Sequence, residues 1–234
     1  MDNPGISRVK QFLLIIILLF GWVLIVLYPN PVHLYTSISR LKNPPVIPLQ
    51  VSGLALQFQD STPSEIESFV YAQLPYSYDW EIYNMPWYFP SLQEAMQIGR
   101  GDCKARYLLF ASLLEELNIP YQKNISLTHI WVDYEGKPQN TLENLEESMF
   151  ITDESGRLRF SIPNPDLNRV SRSFYEGFWK VMPTGRKFLL FVGFPVIYGL
   201  LYLNRAITIR GSFTFRTGLQ EPGKQWSCFG PPYI

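Results

Sequence analysis

The fold is organised by the stretch RGDCKARYLLF at positions 100–110, which predicts a loop that turns into a helix. Gly101 allows the turn and Asp102 is a good N-cap, so the helix is expected to begin at Cys103. Apolar residues then recur at helical spacing as far as Leu117, where an asparagine and a proline stop the helix.

The position of Cys103 at the start of this helix favours a chemical role. Unpaired backbone N–H groups and the positive end of the helix dipole both stabilise a thiolate over a thiol. Lys104, Arg106 and Arg100 would add to this effect, whereas Asp102 would oppose it. A buried, inert cysteine is the alternative, but the residues just before Cys103 are polar and glycine-rich. These features favour a functional cysteine over a buried, inert one.

A strand is predicted downstream, in the sequence THIWVD at positions 128–133, and another precedes it at 121–126. Met149–Asp153 and Leu158–Ser161 are expected to form a hairpin. Asn124 begins a glycosylation sequon, although a strand residue is the simpler interpretation. The soluble part of the chain is expected to bring Cys103 and His129 together.

Composition excludes several classes of function. The chain has 20 basic and 20 acidic residues among 234, so its formal net charge is zero and nothing indicates nucleic-acid binding. Charged residues are few (17%) and aromatic residues many (15%), which is typical of a membrane-attached protein. Cys103 and Cys228 are expected on opposite sides of a membrane and hence unpaired. No metal-binding or cofactor-binding motif is found, so neither a metal nor a cofactor is predicted.

Two apolar runs predict a protein of the cell membrane with two spans. Basic residues before the first run place the N-terminus in the cytoplasm and the soluble domain outside it. A cleaved signal peptide is the alternative for the first run, and a re-entrant or interfacial segment for the second. The predicted divisions are a cytoplasmic N-terminus (1–11), a transmembrane helix (12–28), an extended tether (29–60), a soluble domain (61–169), a juxtamembrane amphipathic helix (170–187), a second transmembrane helix (188–203) and a cytoplasmic tail (204–234).

Two capping boxes mark further helices in the soluble domain. Thr62 and Glu65 open a helix that runs from about Pro63 to Gln73, and Ser91 with Glu94 opens a short one. Between them, residues 76–89 are dense in Tyr, Trp and Phe. These aromatic residues are expected to form core or the wall of a groove, with a substrate platform as the alternative.

The motifs around Cys103 and His129 resemble the transglutaminase-like superfamily. The shared features are Gly-Asp-Cys opening a helix, Asn-Ile-Pro closing it and His-Ile-Trp-Val-Asp on a strand. The resemblance covers about residues 66–161. It implies an α+β fold with a papain-like core, in which a cysteine at a helix N-terminus packs on an antiparallel sheet, here flanked by two transmembrane helices. It also implies a Cys-His-Asp triad, with Cys103 as nucleophile and His129 as its base.

The acid of the triad is less obvious. Asp133 matches the acidic residue that follows His-x-Trp in the family, but four residues along a strand is about 13 Å, too far to bond the imidazole of His129. Asp153 would lie on a neighbouring strand and matches the late aspartate of the family, although it also suits the first position of a type I turn. Glu143 is a further candidate. Trp131 shares the face of His129 and would either shield the pair from water or pack in the core.

These features predict a membrane-anchored cysteine acyl-transfer enzyme that acts on peptide or protein amides through a thioester, as a peptidase, an amidohydrolase or a transglutaminase. A cell-wall hydrolase of the NlpC/P60 type is a second possibility, but there Ser-Gly usually follows the cysteine, and here Lys104-Ala105 does. The alternative from another class is a non-enzymatic membrane protein that uses the same fold as a binding or assembly module.

Overall fold

A computed structural model describes residues 4–138, 143, 148–152, 158–160 and 166–216. The fold is α+β, mostly helical with a small antiparallel sheet. The described α-helices are α1 (Pro4–Leu27), α2 (Pro31–Lys42), α3 (Ser52–Ala55), α4 (Pro63–Gln73), α5 (Asp79–Tyr83), α6 (Leu92–Ile98), α7 (Cys103–Glu116), α8 (Leu167–Phe174) and α9 (Thr184–Arg216). The described strands are β1 (Gln122–Ile125), β2 (Ile130–Asp133), β3 (Phe150–Thr152) and β4 (Leu158–Phe160). Short 3-10 turns flank α3 at Pro48–Val51 and Leu56–Phe58, and a π-helical turn, Tyr175–Lys180, extends α8.

Helices α1 and α9 contain the two apolar runs. Within them, Val9–Leu27 and Thr184–Leu203 are long and apolar enough to cross a membrane, as judged by length and composition alone. Most of their side chains are exposed, as expected of helices that face lipid. Pro195 lies inside α9, whose backbone remains helical to Arg216.

The prediction of an extended tether at 29–60 is wrong, because most of this segment is helical. Pro31 occupies the first turn of α2, and the side chain of Asn30 caps that turn by accepting a hydrogen bond from the backbone N–H of Val32 (3.0 Å). Proline at the start of a helix needs no hydrogen-bond donor, so these prolines begin helices instead of extending the chain. Val51 and Ala55 are then buried in the core.

Helix α7 is the centre of that core. Nine of its fourteen residues are buried, because α3, α4, α6 and β2 all pack around it. Even Ser112 is fully buried, and its hydroxyl accepts a hydrogen bond from the backbone N–H of Ile47 (3.1 Å). Cys103, the first residue of α7, is therefore held by a helix that is fixed in the core.

The sheet has the strand order β2-β1-β3-β4, and all its pairs are antiparallel. A four-residue loop, residues 126–129, joins β1 to β2: the backbone N–H of Ser126 donates to the carbonyl of His129 (2.8 Å), and the Ser126 hydroxyl accepts from the backbone N–H of His129 (3.1 Å). Both predicted strands are confirmed. Asn124, in β1, is fully buried, which confirms the interpretation of the sequon asparagine as a strand residue.

Both predicted capping boxes are confirmed. Thr62 and Glu65 exchange hydrogen bonds at the start of α4, and Ser91 and Glu94 do so at the start of α6. The aromatic stretch at 76–89 supplies core residues, since Trp80, Tyr88 and Phe89 are buried. Its exposed member Trp87 stacks on Phe178, with ring centroids 4.9 Å apart.

Candidate active site

Cys103 is placed by the turn that precedes α7. The backbone N–H of Gly101 donates to the carbonyl of Pro75 (3.1 Å), and the carbonyl of Gly101 accepts from the backbone N–H of Ser77 (3.0 Å). A Cβ on Gly101 would lie 2.4 Å from that of Ala105, so only glycine fits. The predicted N-cap is confirmed, because Asp102 Oδ1 accepts from the backbone N–H of Lys104 (3.0 Å). Cys103 is therefore the first helical residue, and it is partly buried.

A buried ion cluster fastens this first turn to α5. Lys104 Nζ lies 2.9 Å from Asp79 Oδ2 and also bonds the carboxylate of Asp102. All three side chains are nearly inaccessible to solvent. Burial and the nearby Asp102 charge raise the pKa of Asp79, which Lys104 opposes. Lys104 thus pairs with both carboxylates of the cluster.

His129 lies at the start of β2, held by the Ser126 loop. Its ring stacks on Trp131, with centroids 5.7 Å apart and planes inclined by 16°. Trp131 is itself buried. The indole thus covers one face of the imidazole, and the ring edges remain for hydrogen bonding.

The structure brings Cys103 and His129 into one pocket. Both side chains line it, and the interaction with Cys103 contributes to the raised pKa of His129. The pocket is small, about 50 Å³, which is room for a few water molecules. The backbone N–H of Cys103 has no hydrogen-bond acceptor in the described part of the chain.

Glu143 is the carboxylate that the structure places beside the imidazole. Its Oε1 lies 3.5 Å from His129 Nε2, and its side chain is only 8% exposed. Asp133 caps the neighbouring Tyr134 backbone N–H (3.1 Å) and does not contact His129. Asp153 lies outside the described residues. Among the candidate acids that the structure describes, Glu143 alone contacts the imidazole.

A lysine that sequence reasoning missed holds Glu143 in place. Lys137 Nζ lies 2.9 Å from Glu143 Oε2 and 3.0 Å from Glu67 Oε1, and donates to the carbonyl of Val132 (2.6 Å). Glu67 also accepts from the hydroxyl of Tyr134 (2.8 Å).

The sequence contains one local signal for the position of Lys137, the glycine that precedes it. Gly136, with φ of +79°, ends a turn that returns the chain to β2, so the residue after it points back at the strand.

The electrostatics of the pocket favour a charged imidazole. Burial alone would lower the pKa of His129, but hydrogen bonds to Cys103 and Glu143 outweigh burial and raise the pKa to about 9. Burial would raise the pKa of Glu143, and the hydrogen bonds from His129 and Lys137 lower it instead. At neutral pH the geometry therefore holds an imidazolium between a carboxylate and the sulfur of Cys103.

Comparison with known proteins adds nothing to this geometry: neither the protein-family models nor the curated proteins yield a match to the chain.

Proposed function

We propose that this protein is a membrane-anchored cysteine acyl-transfer enzyme with a transglutaminase-like, papain-like core, acting on peptide or protein amides. The observation that carries the proposal is the order Cys103, His129, Glu143 across one pocket, with the nucleophile at the start of a buried helix. A thiol, an imidazole and a carboxylate that line one pocket, with the carboxylate beside the imidazole, are the groups that nucleophilic acyl transfer needs. In this proposal Glu143 takes the place expected of Asp153.

The proposed reaction begins from a thiolate–imidazolium pair. Cys103 Sγ attacks the amide carbonyl carbon, and the carbonyl oxygen gains negative charge beside the free backbone N–H of Cys103. The His129 imidazolium gives its proton to the leaving amine as the C–N bond breaks, which leaves a thioester on Cys103. Water then hydrolyses the thioester, or a second amine takes the acyl group, with neutral His129 accepting the proton of the incoming nucleophile.

Glu143 acts on His129 in this scheme. Its carboxylate faces Nε2, which leaves Nδ1 of the ring for the sulfur. The ion pair with Lys137 orients the Glu143 carboxylate, and the stacked indole of Trp131 shields one face of the imidazole from water.

The membrane part of the proposal rests on α1 and α9. Their apolar lengths suit two spans, and the bases Arg8 and Lys10 before the first span favour an N-terminus in the cytoplasm. That orientation would place the catalytic domain outside the cytoplasm.

The test is the pH dependence of Cys103 alkylation by iodoacetamide, on the full chain in detergent. The background carries Cys228→Ser, so that one thiol remains. A thiolate–imidazolium pair predicts fast alkylation well below the ordinary thiol pKa of about 8.5, lost in His129→Ala. Alkylation like that of a free thiol, unchanged by His129→Ala, would reject the enzyme and favour the non-enzymatic binding module.

A further inference from the structure

Arg106 lies one helical turn after Cys103 on α7 and lines the same pocket. Its Nε donates to the carbonyl of Leu74 (2.9 Å). The guanidinium lies between two aromatic rings, with its central carbon 4.8 Å from the ring centre of Tyr71 and 5.3 Å from that of Tyr76. The backbone bond and the two rings hold a long side chain in one orientation.

The outer nitrogens of this guanidinium are unused. In the part of the chain that the structure describes, neither Nη atom has a hydrogen-bond or ion-pair partner. The two carboxylates that line the pocket, Glu67 and Glu143, are both paired with Lys137 instead. Arginine stays charged at any ordinary pH, so the pocket presents a positive charge with free donors.

We propose that Arg106 selects substrates that carry a carboxylate close to the scissile amide. This inference rests on the proposed acyl-transfer function and names its substrate class. A guanidinium presents paired N–H groups that match the two oxygens of a carboxylate. Neighbours at spacing i and i+3 on a helix have Cβ atoms about 5–6 Å apart, and both side chains line one pocket, so an acid bound at Arg106 lies near an acyl group on Cys103.

The rings beside Arg106 suit an incoming peptide. Tyr71 and Tyr76 are 43% and 50% exposed, so they form part of the open rim of the pocket. The Tyr71 hydroxyl donates to Glu67 (3.1 Å), which fixes that ring. The carboxylate is recognised at this rim, because the guanidinium lies between the two exposed rings.

The first experiment compares two alkylating agents of similar size, iodoacetate and iodoacetamide, on the full chain with Cys228→Ser. The ratio of their rates at Cys103 reports how strongly the pocket favours an anion, and it needs no catalytic turnover. Arg106→Gln is expected to lower the ratio about tenfold, the effect of one charge-assisted hydrogen bond. Arg106→Lys keeps the charge but loses the planar guanidinium. Its rate ratio is expected to lie between those of the unsubstituted protein and Arg106→Gln.

Arg100→Gln is the matched control, since Arg100 is exposed, carries the same charge and lies outside the pocket. A ratio that Arg106→Gln leaves unchanged, or that Arg100→Gln lowers equally, would overturn the proposal. A general disturbance of the pocket changes both rates alike and leaves the ratio intact.

The second experiment identifies the source of the carboxylate. Three matched peptides are compared for protection of Cys103 against iodoacetamide: one neutral with an amidated C-terminus, one with a glutamate side chain, and one with a free C-terminal carboxylate. Stronger protection by either acidic peptide, lost in Arg106→Gln, supports the proposal and names the source. Equal protection by all three overturns it. If the charge selectivity holds but no amide is cleaved or transferred, the acyl-transfer function fails and the anion subsite stands.

Discussion

Replacing Glu143 with glutamine should weaken the charged state of His129. The substitution keeps the size and polarity of the side chain but removes the negative charge 3.5 Å from Nε2. An imidazolium that loses an opposite charge at this distance gives up its proton more readily. The pKa of His129 should therefore fall.

The size of the fall follows from the groups around the ring. The pKa of His129 is about 9, against an ordinary value of 6.5, which corresponds to about 3 kcal/mol in favour of the imidazolium. Burial works against that charge, so Cys103 and Glu143 together supply the whole stabilisation. If the two contribute equally, Glu143→Gln lowers the His129 pKa by at least roughly 1.2 pH units, or about 1.7 kcal/mol.

The assay is an NMR titration of the histidine rings in the full chain in detergent. The chain has two histidines, so His33→Gln assigns both signals. The control is Asp133→Asn, which removes the same charge from β2 at a residue that does not contact His129. Asp153→Asn tests the acid that the family resemblance favours.

Two results would refute this reasoning. If Glu143→Gln moves the His129 pKa no further than Asp133→Asn does, Glu143 does not stabilise the imidazolium. If Asp153→Asn lowers the pKa more than Glu143→Gln does, the family's late aspartate holds His129 instead.

Three further predictions concern stability. Lys137→Met should lower the free energy of unfolding by about 3–5 kcal/mol, because it leaves Glu67 and Glu143 without their shared counter-charge. Asn124→Leu should raise it by about 1–3 kcal/mol, since the amide of this fully buried residue has no hydrogen-bond partner among the described residues. Finally, the pKa of His129 is raised in the folded state, so protonation of His129 stabilises the fold. Its contribution to the free energy of unfolding is complete below pH about 6.5 and is lost as the pH rises through about 9.

Denaturant unfolding of the full chain measures all three. Lys42→Met, at an exposed lysine, is the control for Lys137→Met and should change little. A loss of stability in Asn124→Leu would mean that the amide has a partner after all. The fall in stability between pH 6.5 and 9 should flatten in His129→Gln, and an unaltered slope would assign the titration to another group.

Local rules were enough to predict the helix starts and the first two strands. The side chains of Thr62, Ser91 and Asp102 satisfy backbone N–H groups within three residues, so their effect does not depend on the rest of the fold. The same rule applies at Asn30 and Pro31, in the segment that was predicted to be extended and is helical. Proline is favoured in the first turn of a helix but disrupts the interior of one, so its position decides which structure it predicts.

Sequence motifs and tertiary structure were both needed to identify the residues of the pocket. Sequence motifs identified Cys103 and His129, since each lies beside a recognisable helix start or strand. The acid did not follow from motifs, because any carboxylate from a long polar loop has the same local signal as its neighbours. Glu143 was only one of several acids there until its distance to the imidazole was known.

The sequence by itself determined the place of Cys103 at a helix start, the two apolar helices and the β1–β2 pair, because capping, hydropathy and alternation act over a few residues. Only the tertiary structure decided that Lys137 joins Glu67 to Glu143, and that Arg106 lies between Tyr71 and Tyr76 with outer donors that no described residue occupies. These contacts join residues from different elements, and the packing of those elements around α7 sets the distances between them.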